Sequence, residues 1–249
     1  MFDLHMHTVF SDGKNTAEEM VLEAIRRGLE TVGISDHSSG DPCGMKTEDI
    51  PAYKEEIRRL KKKYEKQIRV LCGLERDLLT DDFSEYDYTI GSVHWLPMPD
   101  GQRVSIDWTP EKLREGAEKY FGGDMYALAE AYYAAAERVV EVTKCDIIGH
   151  FDLVTKFIEK DPAFDLHHPR YIQAWKRAAD RLLKTGKPFE VNTGAMSRGY
   201  RTSPYPSAEI RQYLLERGGR LLLSSDAHEK DFIAFGFDSA ENRCIIEWK

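Results

Sequence analysis

The sequence predicts an α/β barrel built on seven strands, and three observations predict it. Short apolar runs alternate with segments of helical periodicity along 249 residues, the pattern of repeated βαβ units. Six of the seven runs end in a histidine or a carboxylate: His5 and His7, His37, Glu75, His94, His150, and Asp226 with His228. In parallel α/β barrels the C-terminal strand ends gather on one face, where active sites sit. Those side chains, far apart in sequence, are therefore expected to share one cavity.

The elements follow in order. Phe2 to His7 reads as the first strand, with His5 and His7 two apart and hence on one face. Ser11-Asp12-Gly13 is a turn that returns a carboxylate toward them. Thr16-Ala17-Glu18-Glu19 is a capping-box sequence opening a helix that Gly28 stops. Thr31 to Ser35 is the second strand, delivering Asp36-His37, and Pro51 marks the next helix start. Ile68 to Leu74 leads to Glu75, and Tyr88 to Val93 leads to His94.

The stretch from about 94 to 123 carries Pro97, Pro99 and Gly101, then a helix from Pro110 broken at Gly122-Gly123. It is expected to be an insertion over the site, within a single domain spanning 1–249. A helix over about 124–142 precedes the strand Cys145 to Gly149, which delivers His150 and Asp152. A further helix over Tyr171 to Leu183 ends at Gly186, and the sixth strand is Pro188 to Asn192. The loop from Thr193 to Pro206 holds Arg198 and Arg201. Ser207 is expected to cap a short helix, Arg220 to Ser225 is the seventh strand, and one last helix, interrupted at Gly236, is expected to follow.

Composition narrows the function classes. The net charge is −8, so a polyanion such as DNA is not the expected partner. No apolar run is long enough to span a membrane, and no secretory signal is read. The four cysteines are scattered without a C-x-x-C pair, which fits a reducing, cytoplasmic setting and buried thiols rather than metal ligands. The strand-end set holds six of the eight histidines; His167-His168 falls outside it and reads as surface. Any one of these residues could be a satisfied core histidine or a helix cap, but their joint placement at strand ends points to a metal centre. Imidazole and carboxylate donors without thiolate suit zinc, iron or manganese.

The motifs resemble the polymerase-and-histidinol-phosphatase (PHP) superfamily, and within it the monofunctional histidinol-phosphate phosphatases. The matching pieces are Asp3-Leu4-His5-Met6-His7 with Ser11-Asp12-Gly13, Ser35-Asp36-His37, Gly73-Leu74-Glu75, Gly91-Ser92-Val93-His94, Gly149-His150-Phe151-Asp152, Glu190-Val191-Asn192 and Ser225-Asp226-Ala227-His228. The subgroup rests on the length, on Gly149 to Leu153, and on the segment after Asn192 with Arg198 and Tyr205-Pro206-Ser207. The resemblance implies a distorted TIM-like (β/α)7 barrel with two to three divalent metal ions. It implies His5, His7, Glu75 and Asp226 around the first, Glu75 with His94 and His150 around the second, and Asp12, His37 and His228 around the third. Several members have His where this chain has Asp12. Asp36 and Asp152 are expected to orient neighbouring histidines.

The implied reaction is hydrolysis of L-histidinol phosphate, a step of histidine biosynthesis, with a metal-bound water as nucleophile. Arg198 is the first candidate for a phosphate clamp, because its planar fork matches phosphate; Lys156 is the second and Arg201 the third, expected to face solvent. A metal-bound water, Asp12 and Asp36 are the candidates for protonating the leaving alkoxide. The rival readings are the same fold acting on a nucleotide, sugar phosphate or phosphotyrosine, a C–N hydrolase of the amidohydrolase type, and a non-catalytic module. The oligomeric state is not legible.

Overall fold

The computed structural model describes residues 1–238. Seven parallel strands form one sheet: β1 (Phe2–Asp3), β2 (Thr31–Ile34), β3 (Arg69–Asp77), β4 (Tyr88–Ser92), β7 (Ile147–Ile148), β8 (Phe189–Asn192) and β9 (Leu221–Ser224), adjacent in that order. Two short strands, β5 (Trp95–Pro97) and β6 (Arg103–Ser105), make a separate antiparallel hairpin. The sheet curls round until its two edges meet: His7 N donates to Ala227 O (2.9 Å) and Ala227 N donates to His5 O (3.2 Å). The result is a nearly closed seven-stranded barrel, as the sequence predicts. The closure falls at the His-x-His segment, so pairing with Ala227 fixes both histidines where the barrel seals.

Helices α1 (Ala17–Arg26) and α2 (Ile50–Tyr64) cover β1 to β3 on the outside. Helices α3 (Pro110–Phe121), α4 (Met125–Ala136), α5 (Val139–Thr143), α6 (Pro169–Leu183), α7 (Gly194–Ser197) and α8 (Ala208–Glu216) lie beyond β4 in the chain. Of these, α3, α4, α6 and α8 bury their apolar stripes with Phe189, Val191, Leu221 and Leu223 of the sheet. The expected helix over 124–142 is two helices, α4 and α5, parted at Glu137 and Arg138. The chain enters α6 at Pro169, two residues before the expected start, because the preceding His168 caps it through its ring Nδ1. Ser207 makes no side-chain cap to α8; its amide instead donates to Asp152 Oδ2 at 2.9 Å. The expected last helix lies largely outside the described residues, and over 230–232 the chain forms only a 3-10 turn.

The barrel interior is divided by height. Leu4, Leu71, Tyr88, Ile90, Ile147 and Leu222 form a small buried apolar plug. Side chains on a strand alternate faces, so on β3, β4 and β9 the inward row continues upward from its plug residue at steps of two. From Leu71 the row runs to Gly73, Glu75 and Asp77; from Tyr88 to Ile90 and Ser92; from Leu222 to Ser224. Glu190 and Asn192 form the matching row of β8. Helices cover the outside, so the polar half of each row has nowhere to go but the upper interior.

Candidate metal centre

Glu75 stands at the centre of that polar layer, 1% exposed. Five imidazoles converge on it: His5 Nε2 at 3.2 Å, His7 Nε2 at 3.6 Å, His37 Nδ1 at 2.9 Å, His94 Nε2 at 3.5 Å and His150 Nε2 at 2.9 Å. Ser92 donates to its Oε1 at 2.5 Å. Asp226 lies beside the first pair, with Oδ1 3.2 Å from His7 Nε2 and 3.7 Å from His5 Nε2. Asp12, on the turn after the first strand, is 3.3 Å from His228 Nε2 and 3.7 Å from His37 Nε2. Gly13 lets that turn fold back, since a Cβ there would stand 2.3 Å from His7 O.

The donors fit divalent ions on two grounds. Their ligand atoms fall into compact groups, each within 4.8 Å: His7, Asp12, His37 and His228; His5, His7 and Glu75; Glu75, His94 and His150. A further grouping, His37, Asp41 and His94, draws on the same histidines. Among the described residues several of these buried atoms also make no hydrogen bond of good geometry, only close polar contacts, namely His5 Nε2, both nitrogens of His7, and Glu75 Oε2. Burying an unpaired polar atom is costly, and a cation would satisfy each of these.

The charges are set by the cluster itself. Burial opposes ionisation of Glu75, but His5, His37 and His94 together with the hydrogen bond from His150 hold it well below the usual carboxylate range. Asp226 is likewise held low against burial, by Arg198 and His5. Burial would push His5 down, and the carboxylates of Glu190, Glu75 and Asp226 reverse this and raise it well above its usual value. Burial is again outweighed at His37, which Glu75 raises to about 9. His7 goes the other way, pushed down to about 3 by burial with His37 and His228 beside it, so it stays a neutral ligand. Asp12 is held below its usual range, against burial, by His228, His37 and His7.

The other expected residues separate. Arg198 and Lys156 both line the cavity of about 230 Å3 above the cluster. Arg198 donates to His228 Nδ1 at 2.7 Å and to Asp226 Oδ2 at 3.1 Å. Lys156 Nζ is held by Asp107, through its carbonyl at 2.7 Å and its Oδ2 at 2.9 Å. Arg201 does not face solvent: it is 6% exposed and bonded to Thr155 Oγ1 at 2.7 Å, with Asp152 at 3.6 Å. Asp36 takes its hydrogen bonds from Thr8 N and Oγ1 and from Ser11 Oγ, all at 2.5–2.7 Å, so it shapes the loop after His7 rather than aiming a histidine. Asp152 likewise takes its hydrogen bond from Ser207 N, not from a histidine. His168 stacks on Tyr126, away from the cluster.

Two carboxylates that aim the histidines were given no role from the sequence, although Glu190 stands in one of the quoted motifs. Glu190 Oε1 meets His5 Nδ1 at 2.5 Å and Glu190 Oε2 takes His150 N at 2.8 Å, so one side chain steadies two histidines. Asp77 takes His94 N at 2.8 Å and faces His94 Nδ1 at 3.4 Å. Both were legible in principle, as polar residues on the inward parity of strands sheathed in helices.

The sequence profile of the PHP domain family matches residues 3–194. This chain belongs to the PHP domain family. A probable histidinol-phosphatase of Deinococcus radiodurans is 30% identical over 255 residues, covering 96% of this chain and 90% of that one. Among solved structures, a putative histidinol phosphatase of Listeria monocytogenes superposes with a TM-score of 0.83 at 22% identity, covering 96% of this chain and all of that one. The histidinol phosphate phosphatase of Lactococcus lactis, solved with zinc, L-histidinol and phosphate, gives 0.68 at 21% identity over 92% of this chain and 86% of that one. Six of the seven quoted motifs supply Glu75 and the side chains clustered around it, and the seventh, Glu190-Val191-Asn192, supplies the carboxylate behind His5 and His150. Among the described residues no helix is long and apolar enough to cross a membrane.

Proposed function

We propose that this protein is a metal-dependent phosphomonoesterase that hydrolyses L-histidinol phosphate to L-histidinol and phosphate, working as a single barrel domain with the 94–123 insertion over its site. The observation that carries the reaction class is the buried Glu75 carboxylate ringed by five imidazoles beneath a cavity whose wall holds Arg198 and Lys156. The substrate is supported by the relative that shares 30% identity along nearly the whole chain.

Two to three divalent ions are assigned to the donors. His5, His7, Glu75 and Asp226 would hold one, Glu75, His94 and His150 a second, and Asp12, His37 and His228 a third. Such ions neutralise phosphoryl oxygens and make water acidic enough to supply a nucleophile near neutral pH. The chain does the rest. Arg198 presents a planar fork and Lys156 a point charge to the non-bridging oxygens. Asp12, held ionised by its histidines, suits a ligand rather than a proton donor, and Asp36 is committed to Thr8 and Ser11.

Phosphate release from L-histidinol phosphate, beside nucleotide, sugar and tyrosine phosphates, tests this. A strong preference for histidinol phosphate that chelation abolishes is expected. Preference for another ester would keep the metal centre and replace the substrate; no release from any ester by metal-loaded protein would overturn the phosphatase reading.

A further inference from the structure

We propose that Trp95, Trp108, Asp41 and Asp107 form a subsite that binds the organic part of the phosphoester and selects a cationic group carrying a flat ring. The inference rests on the phosphomonoesterase reading and adds the residues that recognise the leaving group.

All four residues line the cavity that holds the metal donors. Three come from the hairpin-and-loop insertion and Asp41 from the loop after β2. Trp108 is 55% exposed at the mouth, a large apolar surface left in water, and its ring lies 6.4 Å from that of Trp95. Trp95 is fixed: its Nε1 donates to Asp41 Oδ2 at 3.2 Å, and the Arg103 guanidinium lies 5.9 Å from its ring. Trp108 N donates to Ser105 Oγ at 3.1 Å, tying the backbone that carries the second ring to β6. A fixed indole with a second, exposed one beside it at an open cavity is a platform for stacking a planar ring and for cation–π contact.

The carboxylates supply the charge preference. Five line the cavity, and Asp12, Glu75 and Asp226 stand in the metal-donor set proposed above. Asp41 and Asp107 remain on the Trp95–Trp108 side. Asp41 takes Cys43 N at 2.8 Å and the Trp95 indole, with His94 Nδ1 3.7 Å from its Oδ2, and a carboxylate with these neighbours keeps acceptor capacity on a side chain only 4% exposed. Asp107 pairs with Lys156 and is 26% exposed. Arg198 marks the cationic phosphate end, Lys156 stands between the two ends with Asp107 as its partner, and the insertion side is aromatic with Asp41 as its further carboxylate. A substrate with an anionic phosphoryl group at one end and an ammonium and ring at the other fits that polarity. L-histidinol phosphate is one.

The test is calorimetric binding of L-histidinol to metal-loaded protein in saturating inorganic phosphate, which needs no turnover. L-Leucinol keeps the amine without the ring, and 4-(hydroxymethyl)imidazole keeps the ring without the amine. Each is expected to bind at least about tenfold more weakly than L-histidinol. Trp108→Ala is expected to raise the L-histidinol dissociation constant about tenfold or more, Trp108→Phe to recover most of it, and Leu22→Ala, an exposed change on α1, to leave it alone. An unchanged constant in Trp108→Ala, equal binding of the three ligands, or no binding of L-histidinol would each overturn the subsite. Loss of the phosphatase reading would show separately, as no phosphate release from any ester.

Discussion

At the scale of single residues, the side chains that aim the ligands matter as much as the ligands. Glu190 is fully buried and spends its two oxygens on His5 Nδ1 and His150 N, while Ser224 Oγ and Asn192 Nδ2 also donate to it. A carboxylate behind a ligating imidazole fixes its tautomer and raises its basicity. Glu190→Gln keeps an acceptor for His150 N but removes the charge facing His5. Metal affinity is expected to fall about 10- to 100-fold, measured by competition with a chromophoric chelator, with the circular dichroism spectrum unchanged. An affinity within twofold of the parent would sink this role. Glu190 shows why part of the site was harder to read. Phe-Glu-Val-Asn reads as an ordinary alternating strand, and only the knowledge that helices cover the Phe189 and Val191 face sends Glu190 inward. Asp41 and Asp107 leave no signal of that kind. They sit in loops, and loops meet in space through contacts that no local period encodes.

At the scale of elements, the capping and breaking signals around α1 and α3 are obeyed, whereas Ser207 does not cap α8. Thr16 caps α1 with a reciprocal box: Glu19 N donates to Thr16 Oγ1 and Thr16 N donates to Glu19. Thr109 and Pro110 open α3 and Gly122, in the left-handed region, closes it. These signals are short-range, so they survive reading without a fold. Strand extents are less legible because pairing partners set them. Formal pairing of β1 with β2 covers only Phe2 and Asp3, and β3 runs on to Asp77 where β4 continues beside it. The break between α4 and α5 carries no Gly or Pro to announce it. Thr16→Ala is expected to cost about 1 kcal/mol, a drop of about 2–4 °C in Tm, with Thr16→Ser close to the parent. A thermal melt checks this, and equal Tm values for the Ala and Ser variants would show that the box contributes nothing.

At the scale of the molecule, the barrel concentrates unlike charges in one largely buried cluster, which a bound cation would settle. In the metal-free protein His37 is raised to about 9 by Glu75, and His5 and His94 are raised well above their usual value by the carboxylates around them. An unfolded histidine titrates near 6.5, so folding favours the protonated ring. The stability His37 contributes is fully present below about pH 6.5 and is lost as pH rises through about 9. Metal ligation needs the neutral ring, so loading must expel these protons, and affinity must rise with pH over the same window. Metal-free protein is therefore expected to lose Tm between pH 6.5 and 9.5, while the metal-loaded protein gains relative to it over that interval. Titrating zinc or manganese at pH 7 in buffers of different ionisation enthalpy is expected to show net proton release. A metal-free Tm that rises across the window, or loading heats independent of buffer, would mean that the imidazoles are already neutral, and the carboxylates already ionised, before the metal binds.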